Sequence, residues 1–284
     1  MTRIGPYELH AIETGRFALD GGAMFGIVPK PLWARTIVPD DKNRIPMHMR
    51  CLLLIGAGRV ILIDNGLGDK YDAKFASIYA VDQQTHNLER SLAQAGVHPN
   101  DVTDLILTHL HFDHCGGTTR RVGDRLQMVF QHATIHVQRD QWEWAATPNV
   151  REQASFLKEN LDPINASGQL NLLDGVTTLF DGITVEPVQG HTRGQQLVHI
   201  GSERERLVYV ADLLPTHAHL RPAWNMAYDL WPMTTISEKA DFLQRAVEGN
   251  WSLFFEHDAA VEVADVKVTD RGIVTHRHRT LADG

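Results

Sequence analysis

The run His109-Leu110-His111-Phe112-Asp113-His114 constrains this chain more than any other feature. Three imidazoles and a carboxylate within six residues are donors that a borderline ion such as zinc accepts. An apolar stretch after Asp104 leads into the run, and Gly116-Gly117 follows it. Read as a strand opening into a loop, the pattern puts His109 and His111 on one strand face and turns Asp113 and His114 toward a second ion. Two adjacent ions point to hydrolysis. Sixteen histidines in 284 residues make a chance cluster a real alternative, so the motif needs company from the rest of the chain.

That company is there. Residues 49–55 and 59–64 are apolar runs around Gly56-Ala57-Gly58 and read as a buried hairpin. A helix is expected over 84–95, with Leu88, Leu92 and Ala95 at helical spacing and Gly96 and Pro99 closing it. Residues 104–108 are expected to be the short buried strand that delivers the histidines. The second half repeats this grammar, with a strand over 183–188 and a hairpin of 196–200 and 206–210. A helix follows over about 237–248, with Ala240, Leu243 and Val247 on one face, and then a strand over 251–255. The stretch 138–160 reads as helical from Trp142, Trp144, Phe156 and Leu157. Strands and helices interspersed in two related units predict an α/β sandwich. No linker is evident, so residues 1–284 are expected to form a single domain.

Further donors fall where the later strands emerge. His191 follows the strand ending at Val188, Asp212 follows the apolar run ending at Val210-Ala211, and His257 follows 251–255. Strand ends opening into loops are the usual seat of a site in open α/β architectures. One such residue is ordinarily a turn residue; three at equivalent positions beside the motif support a two-metal site.

Composition narrows the partners. A formal charge of −8, from 27 basic and 35 acidic side chains, argues against nucleic acid or an anionic membrane surface. Arg120-Arg121 and His276-Arg277-His278-Arg279 are the basic runs, and both read as solvated surface. The first twenty residues carry no apolar stretch of leader length, and no segment approaches a membrane span. Cys51 and Cys115 give no disulfide framework, which fits a reducing compartment, and a cytoplasmic location is expected. Cys115, although beside His114, reads as a small packing residue rather than a ligand.

With the motif at 108–114 followed by His191, Asp212 and His257 in that order, nearly the whole chain resembles the metallo-β-lactamase-fold metallo-hydrolases. The resemblance implies a four-layer αββα sandwich and two divalent ions, zinc first, with iron, manganese or cobalt as alternatives. It implies that one ion takes His109, His111 and His191, that the other takes Asp113, His114 and His257, and that Asp212 bridges them. Asp64 matches an aspartate that supports the first histidines from behind, where an orienting carboxylate is chemically expected. A hydroxide bridging the ions is then the expected nucleophile, with Asp113 as ligand and proton shuttle and Asp212 as the shared catalytic carboxylate.

The superfamily hosts many reactions, and fold does not choose among them. Asp212, where true β-lactamases typically carry another residue, points away from β-lactam cleavage. The nearer resemblance is to the lactonase, esterase and organophosphate-hydrolase branch, which includes acyl-homoserine-lactone lactonases. The expected substrate is an ester or lactone of a small, partly apolar molecule. A phosphotriester or thioester, a non-catalytic metal-containing sensor of a small molecule, and an iron redox enzyme are the alternatives. Met24, Phe25 and Trp33 in one glycine-rich segment, and Trp224 and Tyr228 in an aromatic segment after Asp212, are candidate pocket walls of exposed aromatic and methionine side chains. They are equally candidates for capping the core, and contact across a homodimer interface is a third alternative.

Overall fold

The computed structural model describes residues 2–202 and 204–283. The chain divides into two compact units, one made of residues 1–16 and 49–175, the other of 17–48 and 176–284. The chain leaves the first unit inside the strand Tyr7–Asp20 and returns to it inside the strand Arg44–Gly56. Among the described residues no helix is long and apolar enough to cross a membrane.

In the first unit, the hairpin of Arg44–Gly56 and Arg59–Ile63 forms as expected, antiparallel, with Leu52 opposite Ile63. Its two-residue turn has Ala57 at φ 50° and Gly58 at φ 72°, the positive-φ pair of the mirror-image turn that matches strand twist. Arg59–Ile63, Asp104–Ile106 and Thr134–Gln138 then run parallel. Both Asp64 and the histidine motif therefore leave the sheet at one edge. The helix expected over 84–95 is the shorter Leu88–Gln94, because the Asn87 side chain caps it by accepting from Arg90 N. Leu53, Leu62, Leu92, Leu105, Ile135 and Ile164 centre the core of this unit.

Two expectations need correcting here. The strand ends at Ile106, so His109 and His111 do not share a strand face; His111 caps a one-turn helix, Phe112–Cys115, in the loop beyond. Asp64 accepts the Thr108 amide at 2.8 Å and so takes the backbone off the sheet. The stretch 138–160 is not one helix but Arg139–Ala146, a turn region, and Lys158–Ser167. Pro148 disfavours helical geometry at Thr147, where ψ is 63°. Phe156 and Leu157 lie outside both helices.

In the second unit Ile183–Val188, Gln195–Gly201 and Arg206–Tyr209 are antiparallel neighbours, and Ser252–Phe254 lies parallel to Arg206–Tyr209. Two antiparallel steps restore direction, so Val188, Tyr209 and Phe254 all end at the same edge. A hairpin of Val263–Thr269 and Gly272–Arg279 completes the sheet and supplies one edge strand, Thr177–Phe180 being the other. The long helix begins earlier than expected, at Pro232, whose fixed φ suits the first helical position. Its buried face is Thr235, Lys239, Phe242, Leu243 and Ala246; Ala240 is exposed, contrary to expectation. Phe242, Leu243, Leu253, Phe255 and Ala264 belong to the core of this unit.

Candidate metal centre

Each unit builds its donors separately. In the first, His109, His111, Asp113 and His114 are buried at the sheet edge, and Cys115 beside them is fully buried. Asp64 sits at φ 56° and organises the loop through both oxygens. One accepts from the Thr108 amide at 2.8 Å; the other accepts from the Thr108 hydroxyl at 2.7 Å and lies 3.1 Å from His114 Nδ1. The carboxylate therefore supports His114 directly. It reaches the first histidine only through Thr108, whose hydroxyl is 3.1 Å from His109 Nδ1, which refines the expected contact.

These partners decide which nitrogen of each ring carries the lone pair. A Thr108 hydroxyl already donating to Asp64 accepts from His109 Nδ1–H, leaving the lone pair on His109 Nε2. Glu152 Oε1 accepts from His111 Nε2 at 2.9 Å, leaving the lone pair on His111 Nδ1. The two lone-pair nitrogens, His109 Nε2 and His111 Nδ1, stand 3.1 Å apart. Tetrahedral ligands about 2.05 Å from a common zinc are separated by about 3.3 Å. Acceptor facing acceptor at that spacing fits a shared cation.

In the second unit, His191, Asp212 and His257 follow the three strands that end at one edge. Asp212 is in a one-turn 3₁₀ segment, Ala211–Leu213, entered through Ala211 at φ 44°. His191 Nδ1 donates to Asp229 Oδ1 at 3.0 Å, and His257 Nδ1 donates to the His48 carbonyl at 2.9 Å. Both rings thereby turn Nε2 onto Asp212. His191 Nε2 is 3.2 Å from one oxygen and His257 Nε2 is 3.3 Å from the other. A carboxylate with an imidazole nitrogen at each oxygen has the form of a bridging ligand. Burial, donor type and orientation in both units fit divalent ions.

Glu152, Asp229 and the His48 carbonyl escape sequence reasoning because nothing in their local sequence marks them. Only the fold brings each to its histidine.

The candidate pocket residues are packed more deeply than expected. Met24, Phe25 and Trp33 are 1, 0 and 1 % exposed, and Trp224 is 9 % exposed. Within the second unit Phe25 stacks between Trp33, at 5.1 Å, and His219, at 4.8 Å, while Trp224 meets it edge-on. Gly21 is required beneath this stack, because a Cβ there would strike the Trp33 ring. Tyr228, at 39 %, is the exposed one of the five. The two segments read as pocket walls thus spend their aromatic faces on one another. Lys239, 1 % exposed, reaches into the same region and donates to the carbonyls of His219, Arg221 and Trp224 at 3.0, 3.3 and 2.9 Å. Burial lowers its pKa to about 8.

Cys115 is the packing residue the sequence suggested. Its thiol donates to the Leu110 carbonyl at 3.3 Å, and burial pushes its pKa up to about 12. It is no nucleophile at neutral pH.

Known proteins match this architecture. The model of the metallo-beta-lactamase superfamily matches residues 50–253. An N-acyl homoserine lactonase of Bacillus cereus is 25 % identical over 210 residues, covering 71 % of this chain and 73 % of the lactonase. The crystal structure of a probable metal-dependent hydrolase from Staphylococcus aureus superposes with a TM-score of 0.87 at 30 % identity, covering 98 % of this chain and all of that one. AidC, a dizinc quorum-quenching lactonase in complex with a product, superposes with a TM-score of 0.82 at 23 % identity, covering 98 and 97 % of the two chains. At that identity the AidC likeness concerns the fold. The chain belongs to the metallo-beta-lactamase superfamily, as a metal-dependent hydrolase with the α/β fold of that family.

Proposed function

We propose that this chain hydrolyses an ester or lactone of a small, partly apolar molecule, an N-acyl homoserine lactone being the leading candidate. The observation that carries the two-metal reading is Asp212, faced at 3.2 and 3.3 Å by the strand-end imidazoles of His191 and His257. The lactone class rests on the curated Bacillus relative. The ligand assignment is the one implied by family resemblance: His109, His111 and His191 at one ion, Asp113, His114 and His257 at the other, Asp212 at both. Residues 1–284 are read as a single hydrolase domain, a reading supported by the family match over residues 50–253. When bound, two divalent ions, zinc first among them, supply Lewis acidity and an acidified water.

The chain's own residues do the rest. Asp64, Thr108, Glu152, Asp229 and the His48 carbonyl fix tautomers, so that each imidazole offers a lone pair without rearrangement. Asp113, 7 % exposed, is the carboxylate to which the family resemblance assigns carriage of a proton between the attacking water and the leaving alkoxide. Tyr228 is a candidate contact for the apolar part of the substrate.

The test is turnover by metal-loaded and chelator-stripped protein on N-hexanoyl homoserine lactone, an aryl ester, a phosphotriester and a thioester. Lactone or aryl-ester cleavage that disappears on stripping and returns with zinc is the expected result. Turnover confined to the phosphotriester or thioester would overturn the substrate class. A loaded protein that turns over none of the four would favour a sensor.

A further inference from the structure

The histidine motif is held from behind at three successive residues by a segment the motif does not announce. Gln141, fully buried on the helix Arg139–Ala146, accepts the Leu110 amide through Oε1 at 3.0 Å. The Ser155 carbonyl accepts the Phe112 amide at 3.0 Å. Between these backbone contacts, Glu152 Oε1 accepts from His111 Nε2 at 2.9 Å. Its other oxygen accepts from Trp144 Nε1 at 2.6 Å. The carboxylate is 4 % exposed, and Asn149 and Ser155 fix its backbone, the first accepting from Glu152 N through Oδ1 at 3.2 Å and the second donating its amide to Glu152 O at 2.8 Å. Phe156 lies against the His111 ring, 5.0 Å between centroids.

Two N–H donors, one at each oxygen, call for a carboxylate, because a glutamine would set its own amide N–H against one of them. What the charge adds is specific to imidazole: a carboxylate on one ring nitrogen holds the proton there and makes the opposite nitrogen a stronger donor. Trp144 in turn keeps the carboxylate from rotating away from His111.

We propose that Glu152, oriented by Trp144, is the positioning residue that fixes His111 with its proton on Nε2 and its lone pair on Nδ1, and so sets the affinity of the ion His111 holds. This rests on His111 being a ligand. Glu152 touches no substrate; it acts through the ring.

The experiment titrates cobalt(II) into the metal-free full chain against a chromophoric chelator, for the parent, Glu152→Gln, Glu152→Ala and Trp144→Phe. The cobalt absorption bands and the thermal midpoint are recorded for each. Glu152→Ala is expected to weaken one metal equivalent about 10- to 100-fold and leave the other unchanged. Glu152→Gln, near-isosteric, can accept from Trp144 through Oε1 while its amide N–H turns to His111 Nε2, which moves the ring proton to Nδ1. It should keep a cooperative thermal transition yet show weaker binding at one equivalent and altered cobalt bands. Trp144→Phe should give a smaller loss at that same equivalent. Should Glu152→Ala fail to fold, Glu152→Gln decides alone. Parent-like affinity and bands in Glu152→Gln would overturn the inference and leave the two-metal reading intact. A parent chain that binds no cobalt would overturn both.

Discussion

The two units present metal donors in opposite ways. The first packs His109, His111, Asp113 and His114 into six consecutive residues of one loop, steadied by Thr108, Asp64 and Glu152. The second places His191, Asp212 and His257 on three separate strand ends, each ring tied to its own partner. A single loop makes the first set interdependent, since whatever moves the loop moves all of it. Strands of one sheet make the second set independent, and its cohesion comes from Asp212, a group that both rings face. Damage should therefore concentrate at Asp212 in the second unit and spread over several residues in the first.

The largest effect is expected there. Asp212→Ala should lower kcat/KM at least about a thousandfold, because it takes from both rings the carboxylate they share. Steady-state kinetics with metal analysis would check this against His114→Ala, which removes one donor and should cost less. Equal losses in the two variants would break the contrast. Next is Phe25→Ala, which empties the stack between Trp33 and His219. A loss of about 3–5 kcal/mol in denaturant unfolding is expected if these aromatics are core. A change of less than 1 kcal/mol would return them to the pocket.

A pH experiment sharpens the same point. Burial holds His219 down to about 4, against an ordinary value of 6.5. Between those limits the unfolded chain binds the extra proton and the folded chain does not. The stability tied to neutral His219 is therefore complete above pH 6.5 and lost as pH falls to 4. The difference is on the order of 3 kcal/mol. His219→Gln should flatten the dependence of unfolding free energy on pH across that window, and an unchanged slope would show that the titration lies elsewhere. Smallest is Tyr228→Ala. Its stability should stay within about 0.5 kcal/mol of the parent, as for an exposed side chain. The effect should appear in KM for acyl substrates; an unchanged KM would remove Tyr228 from the substrate's path.

Legibility followed the same division. The first donor set is a local pattern and could be read from six letters. The second could be read only because each donor followed an apolar run, and only the parallel register of Arg206–Tyr209 with Ser252–Phe254 explains why Asp212 and His257 meet. Glu152 and Asp229 were hidden, since a partner 41 or 38 residues away in sequence leaves no local mark. The strand Gly272–Arg279 was hidden for a different reason. Its basic residues read as solvated surface, and Arg277, His278 and Arg279 are exposed, but on an edge strand, where charge deters pairing with another chain. Aromatic content misled in the opposite sense, because nothing in a loop's composition tells whether its rings face solvent or each other.

Lys239 gives the loop after Asp212 a kind of independence. Its ammonium holds the carbonyls of His219, Arg221 and Trp224, while Asp229, Leu230 and Trp231 fasten the far end to His191 and Gly190. Between these fastenings Asn225 and Met226 are buried and the Ala227 amide donates to the Ala23 carbonyl, so the exposed Tyr228 side chain is the position with room to vary. A lineage of such enzymes could exchange residues there and explore new substrates generation after generation, while the His191 ring keeps its place.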